Sequence, residues 1–74
     1  MREIEIRGEM IRLGQLLQLA DLVGSGGEAK ALLATGTVAV NGEREERRGR
    51  QLRDGDVVAA EGLGAVRVVA SAAA

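Results

Sequence analysis

The densest chemistry in the sequence is a run of guanidinium groups. Arg47, Arg48 and Arg50, with Arg53 close behind, occupy a stretch without a single acid. A guanidinium stays charged at any accessible pH and offers planar donors that match phosphate or carboxylate oxygens two at a time. The run therefore points to an anionic partner, or to pairing with nearby acids on a solvated surface. Those acids are Glu43, Glu45 and Glu46 before it and Asp54 and Asp56 after it. A second candidate is made of backbone. Ser25-Gly26-Gly27-Glu28 has the spacing of a capping box, with Ser25 as N-cap and Glu28 reaching back to its amide. Gly26 and Gly27 leave bare amides at that helix start, where anions are favoured. Lys30, one turn further, extends its ammonium to water. Asp54, Asp56 and Glu61 have no catalytic partner and read as solvated turn acids.

Composition removes most other chemistries. The chain has 74 residues and a formal net charge of −1, with no Cys, His, Phe, Tyr or Trp. Thiolate and imidazole metal sites are excluded, as is the usual proton shuttle near neutral pH. Neither a metal nor a cofactor is expected, and no small-molecule substrate. A chain of this size buries only about 60% of its unfolded surface, which leaves little room for an enclosed active site. Any nucleic-acid surface lacks aromatic stacking platforms. No apolar run approaches the roughly 18 residues of a spanning helix, and the charged start MREIEIRGE is not a secretory signal. The expectation is a cytoplasmic, non-enzymatic single domain over residues 1–74, a monomer.

The elements that must position these groups follow from hydrophobic period. Leu13, Leu16, Leu17 and Ala20 fall on one face of a helix, with Gln15 and Gln18 opposite and Arg12 at the flank. Leu19 falls off that stripe. The helix is expected to stop near residues 21–24. A second helix starts at Ser25, buries Ala29, Leu32 and Leu33, and ends at Gly36, which suits a left-handed C-terminal position. The period then changes to two. Thr37 to Val40 reads as a strand, and Asn41-Gly42 is a hairpin turn whose two residues need positive φ. Residues 2–7 alternate charged and apolar, a strand with Ile4 and Ile6 inward. Residues 51–53, 57–60 and 65–69 read as further strands, with Val66 and Val68 inward. Residues 71–74 read as a frayed tail. The fold class is α+β: an N-terminal strand, two short helices, then a small, mostly antiparallel sheet of four short strands.

These residues resemble a known family. Arg12-Leu13, Leu16-Leu17, Ser25, Ala29-Lys30, Leu32-Leu33, Gly36, Val38, Val40-Asn41-Gly42 and Gly55-Asp56-Val57-Val58 are similar to the RNA-binding domain of the ribosomal-protein-S-four type. Its two helices form the alpha-L motif. The resemblance covers residues 12–58 and is nearest to the short stand-alone bacterial YbcJ-like members, in which an arginine-rich segment follows the Asn-Gly turn. It implies binding to structured RNA, of the rRNA or tRNA class, in association with ribosomes. It also implies that Arg12, Lys30 and Arg44 occupy basic positions of the family, and that Arg47, Arg48 and Arg50 form the basic segment. Gly26 and Thr37 depart from it, since many members carry a basic residue at each place.

The residues themselves leave other functions open. A sulfur carrier of the β-grasp type shares Val-Asn-Gly and a Gly-Asp turn but needs a C-terminal Gly-Gly, where this chain ends in Ala72-Ala73-Ala74. A protein-interaction or self-association domain is the third reading, with Leu19 at its interface. The RNA reading requires the guanidinium groups to gather on one side, beside the start of the second helix.

Overall fold

The computed structural model describes residues 1–71. The first strand is β1 (Arg2–Ile6), followed by a two-residue strand β2 (Ile11–Arg12). Two helices come next, α1 (Leu13–Leu19) and α2 (Gly26–Ala34). Five strands follow among the described residues: β3 (Val38–Val40), β4 (Glu43–Arg44), β5 (Gln51–Leu52), β6 (Val57–Ala60) and β7 (Gly64–Ala70). The main sheet has the order β1-β7-β6-β3-β4, and β2 pairs with β5 in a separate two-stranded sheet. Among the described residues only β1 and β7 run parallel; the other pairings are antiparallel. The α+β class and the mostly antiparallel sheet are as the sequence predicts.

Alternation decides which sheet face is wet. Ile4 and Ile6 of β1, Val66 and Val68 of β7, Val58 and Ala60 of β6, and Val38 and Val40 of β3 are all buried. They form one core with Leu13, Leu16, Leu17 and Ala20 on the α1 side and Ala29 and Leu33 of α2. Burying each such Leu or Val contributes about 1.5–3 kcal/mol. Two short helices that could not persist alone in water are held by this packing.

The turns follow their residue types. Asn41 and Gly42 sit at φ 52° and 85°, the geometry of a type I′ hairpin turn. α1 stops where Asp21 takes a left-handed φ of 60°, and Leu22 and Val23 donate back to the Leu17 carbonyl. Gly36 holds a φ of 76° past the end of α2, as expected.

Five expectations are corrected. Residues 11 and 12 form a strand, where Arg12 was expected at the flank of the first helix, and among the described residues five strands follow the helices rather than four. The strand at 11–12 arises from a long-range pairing, Ile11 with Leu52 and Arg12 with Gln51, which local periodicity does not encode; the additional strand is β4, the second arm of the Asn41-Gly42 hairpin. The Glu28 carboxylate accepts from the Gly24 amide at 2.6 Å instead of the Ser25 amide, while Ser25 Oγ accepts from the Glu28 amide as anticipated. Leu32 is only half-buried. The Ser71 amide donates to the Ile6 carbonyl, so the chain is still paired there. The rest of the expected frayed tail, 72–74, lies outside the described residues.

Candidate functional site

The arginine-rich segment is a loop fastened at three points. Its carbonyls cap the start of α1: the Leu13 amide donates to Arg50 O at 2.8 Å and the Gly14 amide to Arg48 O at 2.9 Å. These would otherwise be orphan donors of a helix end. The β2–β5 pair closes the loop from behind, with Leu52 fully buried. Arg12, the residue before α1, donates from Nη1 to the Gly49 carbonyl at 3.3 Å, and Gln15 Oε1 accepts from the Arg12 amide.

The third fastening is Glu45, the buried charged residue of the described chain, 7% exposed. Its carboxylate accepts five hydrogen bonds. Oε2 takes the Glu46 amide, the Arg47 amide and Arg47 Nε; Oε1 takes Arg47 Nη2 and Arg50 Nη1. Hydrogen bonds from the Arg47 guanidinium, then from Arg50 and the Arg47 backbone, hold this carboxyl down from the usual 4.5 to about 2. The same contact raises Arg47 above its ordinary value. Glu45 is ionised at any physiological pH and orders the loop as a charged pivot.

The arginine run therefore divides in two. Arg47 and Arg50 pair with Glu45 at 3.1 and 2.9 Å. Arg48 and Arg53 make no ion pair with a described residue. The pairing does not neutralise the face, because one carboxylate serves two guanidinium groups. The Arg47 side chain remains 78% exposed and commits only two of its five N–H donors. Arg48 crosses α1 directly. A Cβ on Gly14 would lie 2.5 Å from Arg48 Cγ, so only a glycine admits that crossing.

Two shallow grooves meet at Gly49. One, of about 400 Å³, is bounded by Arg12, Gly14, Gln18, Gly26 and Arg48. The other, also about 400 Å³, lies among Arg47, Arg50 and Gln51. Arg12, Gly26, Arg47, Arg48 and Arg50 are thus brought together, with Ser25 adjoining Gly26. Lys30 stands four residues beyond Gly26, on the same flank of α2 one turn along. Glu28, two residues from Gly26, projects from another side of the helix. Its bond to Gly24 nonetheless places an anion in the first turn of α2, on the amides an external anion would use.

Arg44 stands apart. It packs over Gly36, with Nη1 3.0 Å from where a Cβ would be, at the opposite end of α2. Nine helical residues separate it from the groove, about 14 Å along the axis. The turn acids are not free either. Asp54 accepts from the Ala70 amide, and Asp56 from the Arg53 amide and from Asn41 Nδ2. They tie strands together. Among the described residues no group of three or more acids could hold a metal.

Sequence reading offered Glu45 as one of several acids that could pair with the arginines on a solvated surface; it did not single Glu45 out or place it in the interior. A signal was present. The Asn41-Gly42 turn fixes the register Val40 with Glu43 and Ala39 with Arg44. The next step sets Glu45 opposite Val38, whose carbonyl accepts the Glu45 amide at 2.9 Å. Val38 faces the core, so the residue opposite it leans inward too.

A fold of two helices against a mixed small sheet, with a basic loop capping the first helix, defines a class. The chain belongs to the S4 domain family, whose sequence pattern matches residues 4–69. That match extends over most of β1 and most of β7, beyond the 12–58 stretch that carries the resemblance. The chain is 54% identical over 66 residues to a Bacillus subtilis (strain 168) protein, covering 89% of this chain and 93% of that one. The relative is described as "Probable ribosome maturation protein RlbA". Membership of this family displaces the β-grasp sulfur-carrier alternative.

Proposed function

We propose that the chain is a non-catalytic RNA-binding module that grips structured RNA by its phosphate backbone and shape. Four arginines, Arg12, Arg47, Arg48 and Arg50, surround Gly49 against one buried carboxylate, and that observation carries the reading. Lys30 extends the basic surface along α2, and Ser25 and Gly26 bring the α2 backbone close to it. Arg44 would meet RNA only where the ligand runs the length of α2. With no aromatic side chain, the surface favours folded RNA over stacked single strands. The relative's name associates it with ribosome maturation, which favours rRNA over tRNA and a cytoplasmic place of action. No helix among the described residues is long and apolar enough to cross a membrane.

The structure dictates how to test this. Alanine at Arg47 or Arg50 would strip Glu45 of its partners and perturb the loop itself. Arg12 and Arg48 make no ion pair with a described residue and their removal leaves Glu45 its partners, so the Arg12→Ala/Arg48→Ala double variant is the cleaner probe, losing one exposed 3.3 Å bond from Arg12 to Gly49. Binding to an rRNA fragment should fall steeply with salt, with a log–log slope of about 0.7–0.9 per phosphate neutralised. The double variant should lose about two such contacts from the slope while keeping its thermal midpoint. Full affinity and an unchanged slope would remove the proposed face.

Self-association is a second reading supported by one observation. Leu19 is 53% exposed and borders a groove of about 510 Å³ with Ile6, Met10 and Ile11, on the other side of α1. Sizing chromatography of the wild type and Leu19→Gln, with and without RNA, distinguishes the two.

A further inference from the structure

We propose that the groove between α1, α2 and the arginine loop seats a single unpaired nucleotide, with the Gln18 amide reading its base edge. This rests on the RNA-binding reading and names the class of RNA that reading requires: a stem interrupted by a bulged or looped-out nucleotide.

The groove differs from the rest of the basic face in what lines it. Three of its lining residues, Gly14, Gly26 and Gly49, contribute no side chains, so main chain makes part of its wall between the side chains of Arg12, Gln15, Gln18 and Arg48. Gly26 draws α2 in until its Cβ position lies 3.7 Å from Gln18 Nε2. Its volume of about 400 Å³ falls in the range of about 300–1,000 Å³ that small-molecule clefts occupy. That is room for one nucleotide and not for a duplex.

Its polar groups are also the wrong kind for phosphate alone. Gln18 lies four residues after Gly14 on one face of α1, and its carboxamide has no hydrogen-bond partner among the described residues. It offers one acceptor and two donors. Gln15 has committed its oxygen to the Arg12 amide at 3.1 Å, which turns its remaining capacity into donors. A neutral group with adjacent donor and acceptor complements the edge of a base, as Gln does with adenine. In a paired stem that edge is occupied, and the A-form major groove is too deep and narrow for side chains to enter. An extruded base presents it. Arg48 lines the groove over Gly14, where a planar guanidinium can stack on a base or hold its phosphate. Arg12 lines it too, held to the Gly49 carbonyl.

The test compares two RNA hairpins of equal length and charge, one fully paired and one with a single bulged nucleotide, bound to the full chain at fixed salt. The wild type should bind the bulged hairpin about tenfold more tightly, the effect of one good bidentate amide–base contact. Gln18→Ala should bring the bulged hairpin down to the level of the paired one. Gln18 is exposed, so this variant keeps its fold. Equal binding of both hairpins by the wild type overturns the nucleotide seat and leaves RNA binding standing. A preference that survives Gln18→Ala overturns the role given to that amide. Binding of neither hairpin removes the RNA reading itself, and the seat with it.

Discussion

Two polar clusters adjoin the β3–β4 hairpin, and they use carboxylates in opposite ways. On one side Glu45 gathers two guanidinium groups and two backbone amides within a buried pocket of the loop. On the other side Asn41, Asp54 and Asp56 tie strands to one another, chiefly through backbone amides of Arg53, Val57 and Ala70. A carboxylate bonded to amides fixes a chain path. A carboxylate bonded to guanidinium groups fixes where positive charge points. In sequence the two look alike, as short acidic and basic mixtures beside glycine. The difference is that the first cluster leaves cations exposed and the second leaves none of its acids idle.

The largest effect should come from Glu45→Ala. Arg47 and Arg50 can turn to water, but the Glu46 and Arg47 amides lose a charged acceptor. Hydrogen bonds to charged groups contribute about 1.5–3 kcal/mol, so a loss of about 2 kcal/mol is expected in urea unfolding. RNA affinity supplies the sharper contrast. Glu45→Gln raises the net charge, so a face that works by charge alone would bind more tightly. If Glu45 aims the guanidinium groups, the variant binds more weakly despite that added charge.

Acid stability follows from the same carboxyl. Its folded value of about 2 lies below the usual 4.5, so its contribution is complete above 4.5. The contribution is lost as pH falls from 4.5 to about 2, where both states become protonated. Thermal midpoints of the wild type should drop across that window more than those of Glu45→Gln. Parallel curves would mean that Glu45 is not held as the geometry indicates.

Asp56→Ala should have a smaller effect on stability and none on binding. It removes the 2.8 Å bond from the Arg53 amide and the 3.0 Å bond from Asn41 Nδ2, both at the surface. About 1 kcal/mol is expected, with the salt slope of RNA binding unchanged. A change in that slope would join the second cluster to the first and dissolve the contrast.

What could be read in advance divides along the same line. Period gave Ile4 and Ile6, the α1 stripe and the inward valines, because each is a local pattern set by one buried face. Asn41-Gly42 gave the hairpin because its backbone demands those residues. The β2–β5 pairing escaped, since two residues at each end of a forty-residue gap carry no pattern. The state of the arginines escaped as well. Glu43, Glu45 and Glu46 are chemically equivalent in sequence, and only the hairpin register separates the one that turns inward. Membership of the basic face was legible from residue type; its internal pairing was set by contacts between segments that meet only on folding.

The smallest stability change, and the most selective, is expected from Gly14→Ala. Alanine favours a helix over glycine by about 1 kcal/mol, and Gly14 lies in the first turn of α1. Against this, the new methyl would stand 2.5 Å from Arg48 Cγ, so the Arg48 side chain must move, while Arg48 O at 3.5 Å need not. The two effects oppose each other, and the unfolding free energy should change by less than about 1 kcal/mol. Binding should fall as far as it does in Arg48→Ala, because the guanidinium has lost its path across α1. Gly42→Ala is the counterpart from the other cluster. It meets nothing within 4 Å, but its φ of 85° suits glycine. It should cost stability, about 1 kcal/mol, without touching affinity. One glycine is required by what lies over it and the other by its own backbone, and only the first should register in RNA binding.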